Sequence, residues 1–305
     1  EFRKKNLSVR TINDLLKPET LNTVNGLELV ARIVVEGFMS GSNRSQSIGV
    51  GYEFSQYRSY EPGDDLRLLD WKMYARSERY YIKQSEVETN ITVKFILDAS
   101  HSMDYKENGI TKLQYAKVLT AALGYLARKQ SDTFGLYVVN DQKISMIEPR
   151  FEQQQFMRFL NQLISTKSEG HWGKGKDLEA LQLHVGKEII VFFTDLYDES
   201  RDIQQFVSRL KTSRNEVIVF QIMGHDEMNL ETEGVFTFED LETGERRKVD
   251  TVAQHKAYKK RVNEWIQQSR SWMLEKQIDY QLVQMNQPVE SVLVQFLNSR
   301  RRLLR

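Results

Sequence analysis

The stretch that decides the fold is Ile91-Thr92-Val93-Lys94-Phe95-Ile96-Leu97-Asp98-Ala99-Ser100-His101-Ser102-Met103. A short run rich in β-branched and aromatic residues ends at an aspartate, and two serines follow at alternate positions. A run of this length fits a strand buried on both faces and falls short of a helix. A polar loop comes next, then an amphipathic helix from about Thr111 to Lys129 with Leu113, Ala116, Leu119, Leu123 and Leu126 on its inward face. Strand, loop and helix in that order form the unit from which parallel sheets are assembled.

Downstream the unit repeats. Apolar strands are expected at Phe134 to Val139, Glu188 to Phe193, Val217 to Ile222 and Ile278 to Val283, with helices near Glu152 to Ile164, Leu178 to His184 and Ile203 to Leu210. Val138 to Ile147 reads as a hairpin turning at Asn140-Asp141, which adds an antiparallel edge. The fold class expected is α/β: a doubly wound, mostly parallel sheet of Rossmann type over residues 91–305. A hairpin insertion is expected near 234–249, turning at Glu242-Thr243-Gly244-Glu245. Residues 1–90 read as a separate N-terminal part. They contain a packing helix near Glu28 to Met39 that Gly41-Ser42-Asn43 ends, then a small β-rich module with a strand at Tyr80 to Gln84. Trp71 is expected to anchor this module on the core, and Tyr74, Tyr80 and Tyr81 are expected as packing residues.

Composition removes several classes of function. Forty-three basic against forty-two acidic residues give a net charge of +1, so there is no whole-chain electrostatic case for nucleic acid. The basic runs Arg3-Lys4-Lys5 and Arg300-Arg301-Arg302 read as solvated ends. Without cysteine there is no disulfide framework, zinc–thiolate site or thiol nucleophile, and the default compartment is cytoplasmic. The longest apolar runs, at Ile189 to Phe193 and Val217 to Phe220, fall far short of the roughly 20 residues of a membrane span.

In a doubly wound sheet, ligands meet the carboxyl ends of the strands where the strand order reverses. That rule selects Asp98, at the end of the first core strand, and Asp195, at the end of the fourth. In the order 3-2-1-4-5-6 these strands are neighbours about 4.8 Å apart, so two carboxylates could share one cation, with Ser100 and Ser102 adding hydroxyl oxygens. An all-oxygen set of this kind suits magnesium or manganese. Taken as bare spacing, Asp-x-Ser-x-Ser favours a capping role, and its placement after an apolar strand, with a second strand ending in Thr194-Asp195, reverses that preference.

Asp98-x-Ser100-x-Ser102 with Asp195 resembles the metal-ion-dependent adhesion site of von Willebrand factor A domains. The upstream segments Tyr52-Glu53-Phe54-Ser55, Arg58 to Arg67 and Asp70-Trp71-Lys72-Met73-Tyr74-Ala75-Arg76 are similar to the signature of the bacterial domain of unknown function 58 family. The resemblance implies a non-enzymatic interaction or adaptor protein. Its divalent ion would bridge to an acidic residue of a protein partner, with a MoxR-type AAA+ ATPase as the partner class. Ser100 and Ser102 would touch the ion, and Asp98 and Asp195 would hold it directly or through water. His101, inside the loop, could contact a partner carboxylate. The family's third loop supplies a threonine where this chain has Lys176, beside Asp177, and an ammonium there competes with a divalent ion.

Gly170-His171-Trp172-Gly173-Lys174-Gly175-Lys176-Asp177 approaches the phosphate-loop pattern, but Asp177 stands where serine or threonine must ligate magnesium. A glycine-rich loop is the reading adopted. No complete triad or general-base spacing supports hydrolysis at Asp98.

Overall fold

Two compact units divide the chain: residues 42–90 form one, and residues 1–41 with 91–305 form the other. The computed structural model describes residues 17–43, 56–60, 69, 71–84, 91–141, 144–173, 188–198, 201–241 and 243–303. The short helix α1 (Pro18–Leu21) leads into α2 (Val24–Asn43), which takes in Gly41 and Ser42 and closes at Asn43. Leu27, Val30, Ala31 and Val34 of α2 are buried in the same core as Phe95. The helix expected to accompany the β-rich module therefore groups with the sheet, because its apolar stripe is covered there.

In the smaller unit, β1 (Gln56–Ser59) pairs antiparallel with β2 (Tyr81–Gln84), and α3 (Trp71–Ser77) lies between them in sequence. Tyr74 stacks on Tyr80 with ring centroids 4.6 Å apart, while Tyr80 itself stays exposed. Trp71 is 62% exposed and meets Tyr74 edge-on.

The larger unit is built on β3 (Thr92–Asp98). A two-residue ribbon, β4 (Lys106–Glu107) with β5 (Ile110–Thr111), then leads into α4 (Lys112–Lys129). There follow β6 (Thr133–Val139), β7 (Ile144–Arg150), α5 (Gln155–Ser165), β8 (Glu188–Thr194), α6 (Asp202–Leu210) and β9 (Asn215–Met223). The chain continues with α7 (His225–Asn229), the hairpin β10 (Val235–Glu239) and β11 (Arg246–Asp250), α8 (Thr251–Glu275), β12 (Asp279–Gln284) and α9 (Val289–Leu303). The six-stranded sheet has the order β12-β9-β8-β3-β6-β7, parallel except for β7. Counted along the sheet in chain order this is 3-2-1-4-5-6, the doubly wound arrangement the sequence predicts, with the antiparallel edge supplied by the hairpin at Asn140-Asp141.

Alternation along the central strands explains why the sheet is covered on both faces. Phe95 and Leu97 of β3, Val191 and Phe193 of β8, and Ile218 and Phe220 of β9 enter one core with residues of α2, α4, α5 and α9. Ile96, Ile190, Phe192, Val217 and Val219 point the other way and pack with α6 and the end of α8. A period of two divides one apolar run between two cores. The inserted hairpin forms where expected, with Gly244 at φ +71° in its turn. Its conformation is the left-handed one that glycine accepts without cost. The helix expected at Leu178 to His184 lies outside the described residues. Among those described, no helix is long and apolar enough to cross a membrane.

Candidate functional site

The reversal of strand order falls between β3 and β8, and both strands end in acid there. Asp98 is fully buried, and Asp195 is 2% exposed. The structure brings the four residues selected from the sequence into one hydrogen-bonded cluster. Asp98 Oδ1 accepts the Ser100 amide at 3.0 Å, and Asp98 Oδ2 accepts the Thr194 hydroxyl at 2.7 Å. The Ser100 and Ser102 hydroxyls lie 3.1 Å apart, and Ser102 donates to Asp195 Oδ1 at 3.2 Å. The Tyr197 amide also donates to that oxygen, at 3.0 Å. Ser100 stands at the cap position of the short 3-10 turn His101–Asp104 but makes no side-chain capping bond. The capping reading of the motif therefore does not describe Ser100. His101 is half-buried, and its amide donates to the Gly170 carbonyl at 2.8 Å. This bond, with the Glu169 amide on Ala99 O, seats the start of the glycine-rich loop against the Asp98 loop. Lys176 and Asp177 lie outside the described residues.

The charge at the centre of the cluster comes from a residue the sequence reading did not select. Lys112, 2% exposed, places its ammonium 2.9 Å from Asp195 Oδ2 and 2.7 Å from Glu227 Oε1. It also lies over the Tyr105 ring, 5.1 Å from the centroid. Glu227 is in turn fixed by the Gly224 amide at 3.0 Å, in the first turn of α7. Burial works against the Lys112 charge, but Asp195 and Glu227 outweigh it and hold the group well above lysine's ordinary range. For Asp98, burial first and the neighbouring Asp195 second push the carboxyl up to about 7, against the hydrogen bonds from Ser100 and Thr194. A local signal for Lys112 exists. It is the first residue of α4, directly after the Thr111 cap, where the helix dipole favours acid and disfavours a cation.

A divalent ion does not fit this donor set as arranged. Each oxygen of Asp98 and of Asp195 already accepts a hydrogen bond, and Asp195 Oδ2 accepts it from an ammonium. Two unit charges 4 Å apart interact by about 4 kcal/mol at an effective dielectric of about 20, and an ion of charge two doubles that repulsion from Lys112. Among the described residues no group of three or more His, Asp or Glu side chains gathers into a metal site.

Beside Asp195 a cleft of about 370 Å³ opens at the carboxyl ends of β8 and β9. Leu196, Tyr197, Met223, Tyr258, Val262 and Trp265 give it an apolar and aromatic wall, with Asp195, Asp198 and Glu227 at its acidic end. The Tyr197 hydroxyl bonds to Asp240 at the end of β10. The inserted hairpin and the loop after β8 are thereby tied together.

Residues 56–270 match the family described as "Protein of unknown function DUF58". Curated relatives include uncharacterized proteins of Mycobacterium tuberculosis and Mycobacterium bovis. Each is 23% identical over 236 residues, spanning 76% of this chain and 74% of the relative. Among solved structures, BatB from Bacteroides thetaiotaomicron is 14% identical with a TM-score of 0.43, covering 70% of this chain and 99% of that one. An aerotolerance-related membrane protein from Bacteroides fragilis is 18% identical with a TM-score of 0.42, covering 68% and 97%. The SpRpn10 VWA domain is 11% identical with a TM-score of 0.38, covering 67% and 94%. The family match spans well over half of the chain, which therefore belongs to the DUF58 family.

Proposed function

We propose that this protein is a non-enzymatic interaction module that takes a segment of a protein partner at the carboxyl edge of its sheet. The observation that carries the reading is the cleft beside Asp195, walled by Tyr197, Tyr258 and Trp265. Aromatic side chains in a concave, partly apolar site are the anchors on which protein interfaces concentrate their energy. Ser100 and Ser102 hydrogen-bond to each other and to Asp195, an arrangement that positions a loop and prepares no nucleophile. The partner class follows from the family resemblance: a MoxR-type AAA+ ATPase. Docking is direct, through the cleft wall, in place of the magnesium or manganese bridge to a partner's acidic residue, because Lys112 already supplies the cation at Asp195.

The test is binding of the full chain to a purified MoxR-type ATPase from the same cell, measured by interferometry. Trp265→Ala and Tyr197→Ala are expected to weaken binding about 10-fold or more, the loss typical of an interface anchor. Leu274→Ala, at an exposed position outside the cleft, leaves it unchanged. Equal affinity across the three variants, or no binding by the parent chain, refutes the reading.

A further inference from the structure

An ammonium has three N–H bonds to place, and burying it is unfavourable unless they are met. At Lys112 two point to carboxylates, Asp195 Oδ2 at 2.9 Å and Glu227 Oε1 at 2.7 Å, and the Tyr105 ring lies beneath the group. These partners come from the end of β8, from the first turn of α7, and from the link between the 3-10 turn and β4. Together they form a socket shaped around one positive charge. The lysine sits where the dipole of α4 opposes it, so local helix preference does not account for it. Through Asp195 it also reaches the serine loop. Asp195 Oδ1 receives Ser102, and Ser102 meets Ser100, so the ammonium and the Ser102 hydroxyl each take one oxygen of the same carboxylate and Ser100 joins through Ser102.

We propose that Lys112 is the resident cation of this site, filling the charge role of a divalent ion and holding the Asp98 to Ser102 loop in place without metal. The loop then needs no magnesium or manganese to fold. Removing the ammonium leaves Asp195 and Glu227 facing each other uncompensated, and the space between them becomes a place where a divalent ion binds. The inference concerns this cluster alone and holds or fails independently of any partner in the cleft.

The experiment follows thermal unfolding of the full chain in chelator and in millimolar manganese or magnesium, with calorimetric titration of manganese in parallel. The parent chain is expected to show the same midpoint in all three solutions and no heat of binding. Lys112→Ala and Lys112→Gln are expected to melt at lower temperature and to gain a manganese-dependent rise of about 2–4 °C or more. Adding Asp195→Asn to Lys112→Gln is expected to abolish the gain. A parent chain that loses stability in chelator, or that titrates with manganese, overturns the proposal. So does a folded Lys112 variant that acquires no manganese response. Should both variants fail to fold, the parent chain's response to metal still decides the question.

Discussion

Replacing Asp98 by asparagine should make the variant gain steadily in stability relative to the parent as pH rises from about 4 to about 7. Asp98 is fully buried, and burial followed by repulsion from Asp195 raises its carboxyl from 3.8 to about 7. Between those values the folded state retains a proton that the unfolded chain has released. The folded state then binds more protons than the unfolded one, so this group's contribution falls as pH rises. It is fully present below pH 4 and gone above about pH 7. A rise of about three pH units corresponds to at most about 4 kcal/mol. The asparagine of the variant has no proton to lose. Its side-chain oxygen can still accept the Ser100 amide, while its amide group faces the Thr194 hydroxyl, which must turn from donor to acceptor at a pH-independent cost of about 1 kcal/mol. Urea unfolding of both proteins from pH 4.5 to 8, followed by tryptophan fluorescence, gives the difference directly. The variant should gain on the parent as pH rises and level off near pH 7. A difference that does not change with pH, or a variant that loses ground as pH rises, refutes the reasoning, because Asp98 would then be ionised throughout.

Two further substitutions probe the core beneath the site. A Cβ on Gly124 of α4 would stand 2.8 Å from the Phe159 ring of α5. Gly124→Ala should therefore lose about 1–3 kcal/mol to overpacking, against about 1 kcal/mol gained in helix propensity. Denaturant unfolding should show a net loss that Phe159→Leu relieves. Lys94, 1% exposed, lies 3.0 Å from Glu188, which is itself buried. Lys94→Met takes the cation away from that carboxylate and should cost about 3–5 kcal/mol, whereas Lys94→Met with Glu188→Leu should recover most of it. A double variant no better than the single would show that the loss comes from packing.

Much of the fold was legible because it rests on local pattern. The run from Ile91 to Leu97 is apolar at Ile91, Val93, Phe95 and Leu97 on one side and carries Ile96 after Thr92 and Lys94 on the other, a short β-rich run that announces a strand between two layers. The convergence of Asp98, Ser100, Ser102 and Asp195 followed from one topological rule about neighbouring strand ends. Lys112 was missed because its partners, Asp195 and Glu227, lie 83 and 115 residues away. No window of sequence shows them together. Helix α8 was missed for a different reason: Ile266 and Met273 are its only buried apolar residues, too few to mark a stripe. The apolar stripe of α2 said that the helix packs but not on what, which is why it was assigned to the wrong neighbour.

The span from Lys112 to Glu227 also bears on the order in which the protein can be made. A ribosome adding about 5–20 residues per second needs roughly 6 to 23 s to travel those 115 residues. Through that interval α4 and the first strands are available, but the ammonium at the head of α4 has nowhere dry to go. Closing the sheet around it before β8 and α7 have emerged would bury the charge without its two carboxylates, an arrangement that costs several kcal/mol. The carboxylates that answer Lys112 are thus complete at Glu227, before Tyr258, Val262 and Trp265 of α8, the last wall of the cleft, are synthesised.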